Sequence, residues 1–204
     1  MVRKKPIIGL AGGIGSGKTL VARQLESLGA VVFDADQVAK AQYQREDVQQ
    51  QLVEWWGNDV LTQDGQVNLS AVASIVFDHQ DERSKLEGLI HPIVAQARVE
   101  FVDQAMADPA IKAVVLDVPL LFEVGLHENC DSVIYVDCDL KIRQSRVMAR
   151  RGWDADELKR REKTQWPLDK KRRTADYIVT NSSSEDQCLT QVQDVFHRIL
   201  DHHR

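Results

Sequence analysis

Gly12-Gly13-Ile14-Gly15-Ser16-Gly17-Lys18-Thr19 satisfies the pattern G-x-x-x-x-G-K-[ST]. Four glycines let the backbone turn without Cβ clashes, so that successive N–H groups can converge on phosphate oxygens at the start of a helix. Gly13, Ile14, Gly15, Ser16 and Gly17 are the expected cradle. Lys18 is expected to place a point charge on the β- and γ-phosphates of ATP, and the Thr19 hydroxyl to enter the shell of Mg²⁺. A chance Gly-rich turn ending in Lys-Thr is the bland alternative, and the surrounding pattern argues against it.

Upstream, Pro6-Ile7-Ile8-Gly9-Leu10-Ala11 reads as a short buried strand. Downstream, Val21, Leu25 and Leu28 recur at helical spacing until Gly29, and Ala30-Val31-Val32-Phe33 follows as a second strand. Ala113-Val114-Val115-Leu116-Asp117, Ser132-Val133-Ile134-Tyr135-Val136-Asp137 and Tyr177-Ile178-Val179-Thr180 supply three more. The first two of these are continuously apolar, as strands covered on both faces are. Helical segments between strands imply right-handed crossovers, and so an α/β fold with a parallel five-stranded sheet between layers of helices. Gln37 to Trp56 and a second stretch from Ser70 to Met106, separated by the Asp64-Gly65 turn, predict an all-helical insert. Ser184 to His203 predicts a closing amphipathic helix.

Ligands of a parallel sheet collect beyond the carboxyl ends of its strands, where Asp34 and Asp36 follow the second strand. Asp36 is assigned as the carboxylate that orients an attacking hydroxyl and accepts its proton, with Asp34 assisting the metal shell. Both could instead serve only as helix caps. Asp117 ends the third strand as the acid of a Walker B segment does, which makes it a second candidate for Mg²⁺. Glu123 follows it closely. Either acid could merely hydrogen-bond a loop.

The 204 residues carry a net charge of -5, which argues against a protein that coats nucleic acid. No stretch reaches the roughly 20 apolar residues of a membrane span. Three cysteines without paired spacing argue against a disulfide framework or a zinc site, so a reducing, cytoplasmic setting is expected. The average charge conceals an asymmetry: between Lys141 and Arg173 stand thirteen basic residues against five acidic. In a protein that holds a triphosphate, such a segment favours anion contact over a solvated face. Arg143, Arg146 and Arg150 share a helical face, with Arg161 further on. Arg150 and Arg161 are expected to contact the triphosphate, and Arg143 and Arg146 to be solvated or salt-bridged. Gly152 is a candidate hinge.

Taken together, the loop Gly12–Thr19, Asp34-Ala35-Asp36, His91-Pro92, Pro119-Leu120-Leu121-Phe122-Glu123, Arg161, Gln165-Trp166-Pro167 and Ala175–Asn181 resemble the dephospho-coenzyme A kinase family in order and spacing over nearly the whole chain. The resemblance implies transfer of the ATP γ-phosphoryl group to the ribose 3′-hydroxyl of dephospho-coenzyme A. It also implies a nucleotide-binding core at 1–36, 107–149 and 174–204, a helical acceptor domain at 37–106 and a lid at 150–173. It aligns Asp36 with the family's base, makes Lys18 and Arg150 the other catalytic groups, and places His91, Leu121 and Glu123 on the acceptor side. Trp166 stands where the family usually has a smaller residue such as Met. A monomer or weak homo-oligomer is expected.

Pro92 biases His91 away from the helical region and could aim its ring into a cleft, although a single His before Pro is more often a structural or surface residue. Trp55-Trp56 is expected to pack within the insert rather than stack on a base. Two rivals remain to be weighed. A nucleoside monophosphate kinase favours clustered arginines in the insert, where Arg45, Arg83 and Arg98 are scattered. A GTPase-like switch calls for Asn-Lys-x-Asp, which the sequence lacks.

Overall fold

In the computed structural model, which describes residues 5–203, five strands form one parallel sheet. They are β1 (Ile7–Gly12), β2 (Ala30–Asp34), β3 (Ala113–Asp117), β4 (Ser132–Asp137) and β5 (Tyr177–Thr180), in the order β2-β3-β1-β4-β5. The strand leading into the phosphate loop is therefore central, with neighbours paired on both sides. Alternation along β4 shows the two faces: Ile134 and Val136 join one apolar cluster, whereas Val133 and Tyr135 join another. Both sets are buried, which is why the strand reads as a continuous apolar run.

The first cluster lies under α1 (Lys18–Ser27) and α9 (Glu185–His202), whose Val21, Leu25, Val192, Phe196 and Ile199 pack on Ile8, Leu10 and Val115. Each such side chain removed from water is worth about 1.5–3 kcal/mol. Ser184 starts α9 by accepting the Gln187 N–H on its hydroxyl. The second cluster gathers Ala11, Leu121, Phe122, Val133 and Tyr135, with Trp166 and Ala175 against it. Three helices lie between β4 and β5: α6 (Leu140–Arg151), α7 (Ala155–Glu162) and α8 (Leu168–Thr174). Gly152 ends α6 at φ 67°, a left-handed conformation in which glycine carries no Cβ penalty.

The chain divides into two compact units. One takes the residues up to Asp34 and from Val102 onward, and it includes the 150–173 stretch. The other, Ala35–Phe101, contains α2 (Ala35–Gln42), α3 (Glu46–Trp56), α4 (Leu69–Asp78) and most of α5 (Gln80–Ala107). Its own core is Val48, Leu52, Val60, Val72, Leu86 and Ile90. Trp55 and Trp56 pack against that core and meet each other edge to face at 5.7 Å, and the Trp56 indole donates to Glu82 at 2.7 Å.

The helical stretch from Ser70 to Met106 is built as two helices, divided at His79, which is extended at φ -125° and ψ 101°. One expectation needs correction. His91 and Pro92 do not interrupt α5, a helix of 28 residues that contains Pro92. Proline there removes one backbone bond, to the Gly88 carbonyl. The long flanks on both sides outweigh that loss, and His91 sits exposed on the helix surface.

Candidate active site

The phosphate loop leaves β1 at Gly12 and closes with the Ser16 N–H on the Gly13 carbonyl at 3.1 Å. Gly17 adopts φ 92°, and its carbonyl receives the first N–H groups of α1, from Leu20 and Val21. A Cβ at Gly17 would collide with the Asn181 side-chain amide, so two independent reasons require glycine there. Lys18 and Thr19 open α1, Lys18 half-buried and Thr19 exposed.

Three buried or half-buried donors hold the loop from outside. Asn181, 2% exposed, donates to the Ser16 carbonyl at 2.8 Å, and Arg146 to the same oxygen at 3.3 Å. Arg143, 5% exposed, donates to the Ile14 carbonyl at 3.2 Å. With these carbonyls engaged outward, the opposite, amide-bearing edge of the loop is left for an anion. The Ser16 hydroxyl is buried without a hydrogen-bond partner.

Sheet register assembles the acids. Asp117 pairs with Leu10 of β1 on one side and with Asp34 of β2 on the other, so both carboxylates stand at the carboxyl edge where β1 enters the loop. Asp36 follows in the first turn of α2 and is exposed. The Thr19 hydroxyl and the Asp117 carboxylate are hard oxygen donors, the type Mg²⁺ takes. No group of three or more His, Cys, Asp or Glu able to hold a metal occurs among the described residues.

Beside Gly13 lies a cavity of about 230 Å³, lined among others by Tyr135, Asp137, Cys138, Arg143 and Arg172. Among these, Arg172 donates to Asp137 at 3.2 Å. Burial, and then the Asp137 charge, push the Tyr135 phenol up to about 12, so it stays protonated.

The dephospho-CoA kinase family model matches residues 6–187. A dephospho-CoA kinase of Geobacillus kaustophilus is 38% identical over 91% of this chain and 92% of its own length. TT1252 of Thermus thermophilus superposes with a TM-score of 0.79 at 32% identity, covering 96% of this chain and 97% of that one. The chain belongs to the dephospho-CoA kinase family. A dephospho-CoA kinase of Campylobacter jejuni, 22% identical with a TM-score of 0.70 over 96% of this chain and 97% of that one, shares the fold.

Within this family frame, the structure gives Glu123 a set of buried partners. Its Oε1 accepts from Lys171 at 2.8 Å and from the Trp166 N–H at 2.7 Å. Lys171, 2% exposed, also donates to Gln165 at 3.0 Å. Burial pushes the Glu123 carboxyl up, but the Lys171 ammonium and the Trp166 amide together outweigh it and hold the group below the ordinary carboxylate value. Trp166 stacks on Phe122 at 5.5 Å, which accounts for a large ring at that position. Leu121 is 2% exposed and packs in the core, its N–H donating to the Val118 carbonyl and its own carbonyl accepting from Leu126 and His127.

The arginines of α6 and α7 divide into exposed and buried or half-buried sets. Arg150 is exposed at the end of α6, and Arg161 is exposed in α7, paired with Glu157 at 2.7 Å and lying 4.0 Å from the Trp153 ring centroid. Arg143 is salt-bridged, to Glu162, but it is not solvated. Arg143, Arg146 and Asn181 are the loop's braces, a role that sequence reasoning passed over. A signal existed in part, since arginines at i and i+3 near the start of a helix beside a phosphate loop share one face.

Proposed function

We propose that this chain phosphorylates the ribose 3′-hydroxyl of dephospho-coenzyme A with ATP. The observation that carries the reading is a braced phosphate loop at the carboxyl edge of the sheet, with Asp34 and Asp117 in register beside it and Asp36 two residues on. In the reaction the 3′-oxygen forms a bond to the γ-phosphorus, the bond from that phosphorus to the β,γ-bridging oxygen breaks, and ADP leaves. Asp36 orients the hydroxyl and takes its proton. The loop amides and Lys18 hold the β- and γ-phosphates, so the protein's contribution is positioning and charge stabilisation. Thr19 and Asp117 would hold Mg²⁺, which would supply charge neutralisation on the phosphate oxygens.

Arg150 and Arg161 complete the charge complement when the 150–173 segment covers the phosphates. Cover also excludes water, the competing acceptor. The 37–106 insert holds the acceptor, with His91 and Glu123 contributing on that side. Family membership and the buried thiols of Cys138 and Cys188 support a cytoplasmic setting, and the working state is a monomer or weak homo-oligomer.

The test is to supply Mg-ATP with dephospho-coenzyme A, AMP, shikimate or gluconate and measure ADP formation. Turnover with dephospho-coenzyme A alone is expected, and its absence sinks the reading. Asp36→Asn is expected to bind ATP normally and lose at least about 10²-fold in kcat. Full activity in that variant rejects Asp36 as the base.

A further inference from the structure

Arg143 carries a charge that is almost wholly withdrawn from water. Its side chain is 7% exposed, and its donors go to the Cys138 carbonyl at 3.2 Å, to the Ile14 carbonyl at 3.2 Å, and to the Glu162 carboxylate. Glu162, 19% exposed, is the last residue of α7. The contact at Gly13 is so close that an added Cβ would lie 3.0 Å from the Arg143 guanidinium, and one at Gly15 would lie 2.9 Å from the Arg143 carbonyl. One guanidinium thus joins three segments: the phosphate loop, the start of α6 and the end of α7.

We propose that Arg143 and Glu162 form a positioning pair for ATP binding, in which Glu162 holds Arg143 on the Ile14 carbonyl and so ties the basic segment to the conformation of the phosphate loop. The geometry supports coupling over independent roles. A planar guanidinium can serve a carbonyl and a carboxylate at once, but only in one orientation. Glu162 supplies the negative charge opposite it, and without that charge the buried cation favours turning towards the cavity beside Gly13, where it leaves Ile14. Neither side chain needs to touch the reacting atoms. The inference rests on the phosphate loop binding ATP, and it is independent of the acceptor's identity.

A double-mutant cycle tests it on wild type, Glu162→Leu, Arg143→Gln and the combination. Mg-ATP affinity is measured by calorimetric titration without acceptor, and KM for each substrate is measured separately. Glu162→Leu and Arg143→Gln are each expected to weaken ATP about ten-fold, and the double variant to be no weaker than Arg143→Gln alone. KM for dephospho-coenzyme A is expected to change less than about two-fold. Glu162→Gln keeps an acceptor oxygen and guards against a variant that fails to fold, with an expected loss between wild type and Glu162→Leu. Additive losses, single variants that bind ATP as wild type does, or equal losses for both substrates overturn the pair. Wild-type protein that binds ATP but does not phosphorylate dephospho-coenzyme A retires the acceptor assignment and leaves the cycle readable. Failure to bind ATP overturns both.

Discussion

Arg143 and Arg150 lie two turns apart on one face of α6, yet the two ends of that helix are different environments. At the first end Arg143 is buried against the phosphate loop, with Arg146 beside it on the Ser16 carbonyl. At the other, Arg150 stands exposed just before the left-handed turn at Gly152. Lys171, nearly sealed from water against Glu123, resembles the first end, and Arg161 resembles the second. The contrast separates two uses of positive charge. A buried cation bonded to carbonyls and a carboxylate holds the protein's own shape, whereas an exposed cation on a short segment keeps its charge available for a ligand.

The largest expected effect tests the buried side. Lys171→Met leaves Glu123 in a buried site without its counter-charge and is expected to cost about 3–5 kcal/mol, read as a lowered urea midpoint. An unchanged midpoint would erase the distinction. The exposed side is probed by Arg150→Ala, which should lower kcat about 10²-fold while leaving the urea midpoint within about 0.5 kcal/mol of wild type. A loss of stability with unaltered kcat would put Arg150 among the braces.

Acid titration sharpens the comparison further. Because the folded Glu123 carboxyl sits below its unfolded value, its contribution is fully present above about pH 4.3 and is lost as pH falls through the lower folded value. Glu123→Gln should therefore be less stable near neutrality and show a shallower decline in this acid window, followed by thermal unfolding across pH. The smallest effect is expected for Arg161→Ala. Its surface pair with Glu157 is worth at most about 1 kcal/mol, so stability should hardly move while KM for ATP rises by about three-fold.

The sheet was legible because its strands are apolar on both faces and separated by helical spacing, and the loop because its glycines meet a backbone requirement that few other patterns share. Asp34 and Asp117 were placed at strand ends by the same logic. What spacing could not convey was depth. Arg143, Arg146 and Arg150 are equivalent on a helical wheel, and only the approach of the phosphate loop to the beginning of α6 makes two of them structural. His91-Pro92 misled because a local preference against helix before proline was read without the length of α5, over which one missing bond is a small fraction. The burial of Leu121 was not legible because a motif's segment does not reveal which of its side chains turns inward.

Asn181 binds Ser16 across 165 positions of sequence. On a ribosome the phosphate loop emerges well before the amide that fastens it. A nascent chain halted before residue 181 carries every residue of the loop motif without one of its three fasteners. Nucleotide binding during synthesis is therefore expected to strengthen once β5 and Asn181, and not merely the loop, have been made.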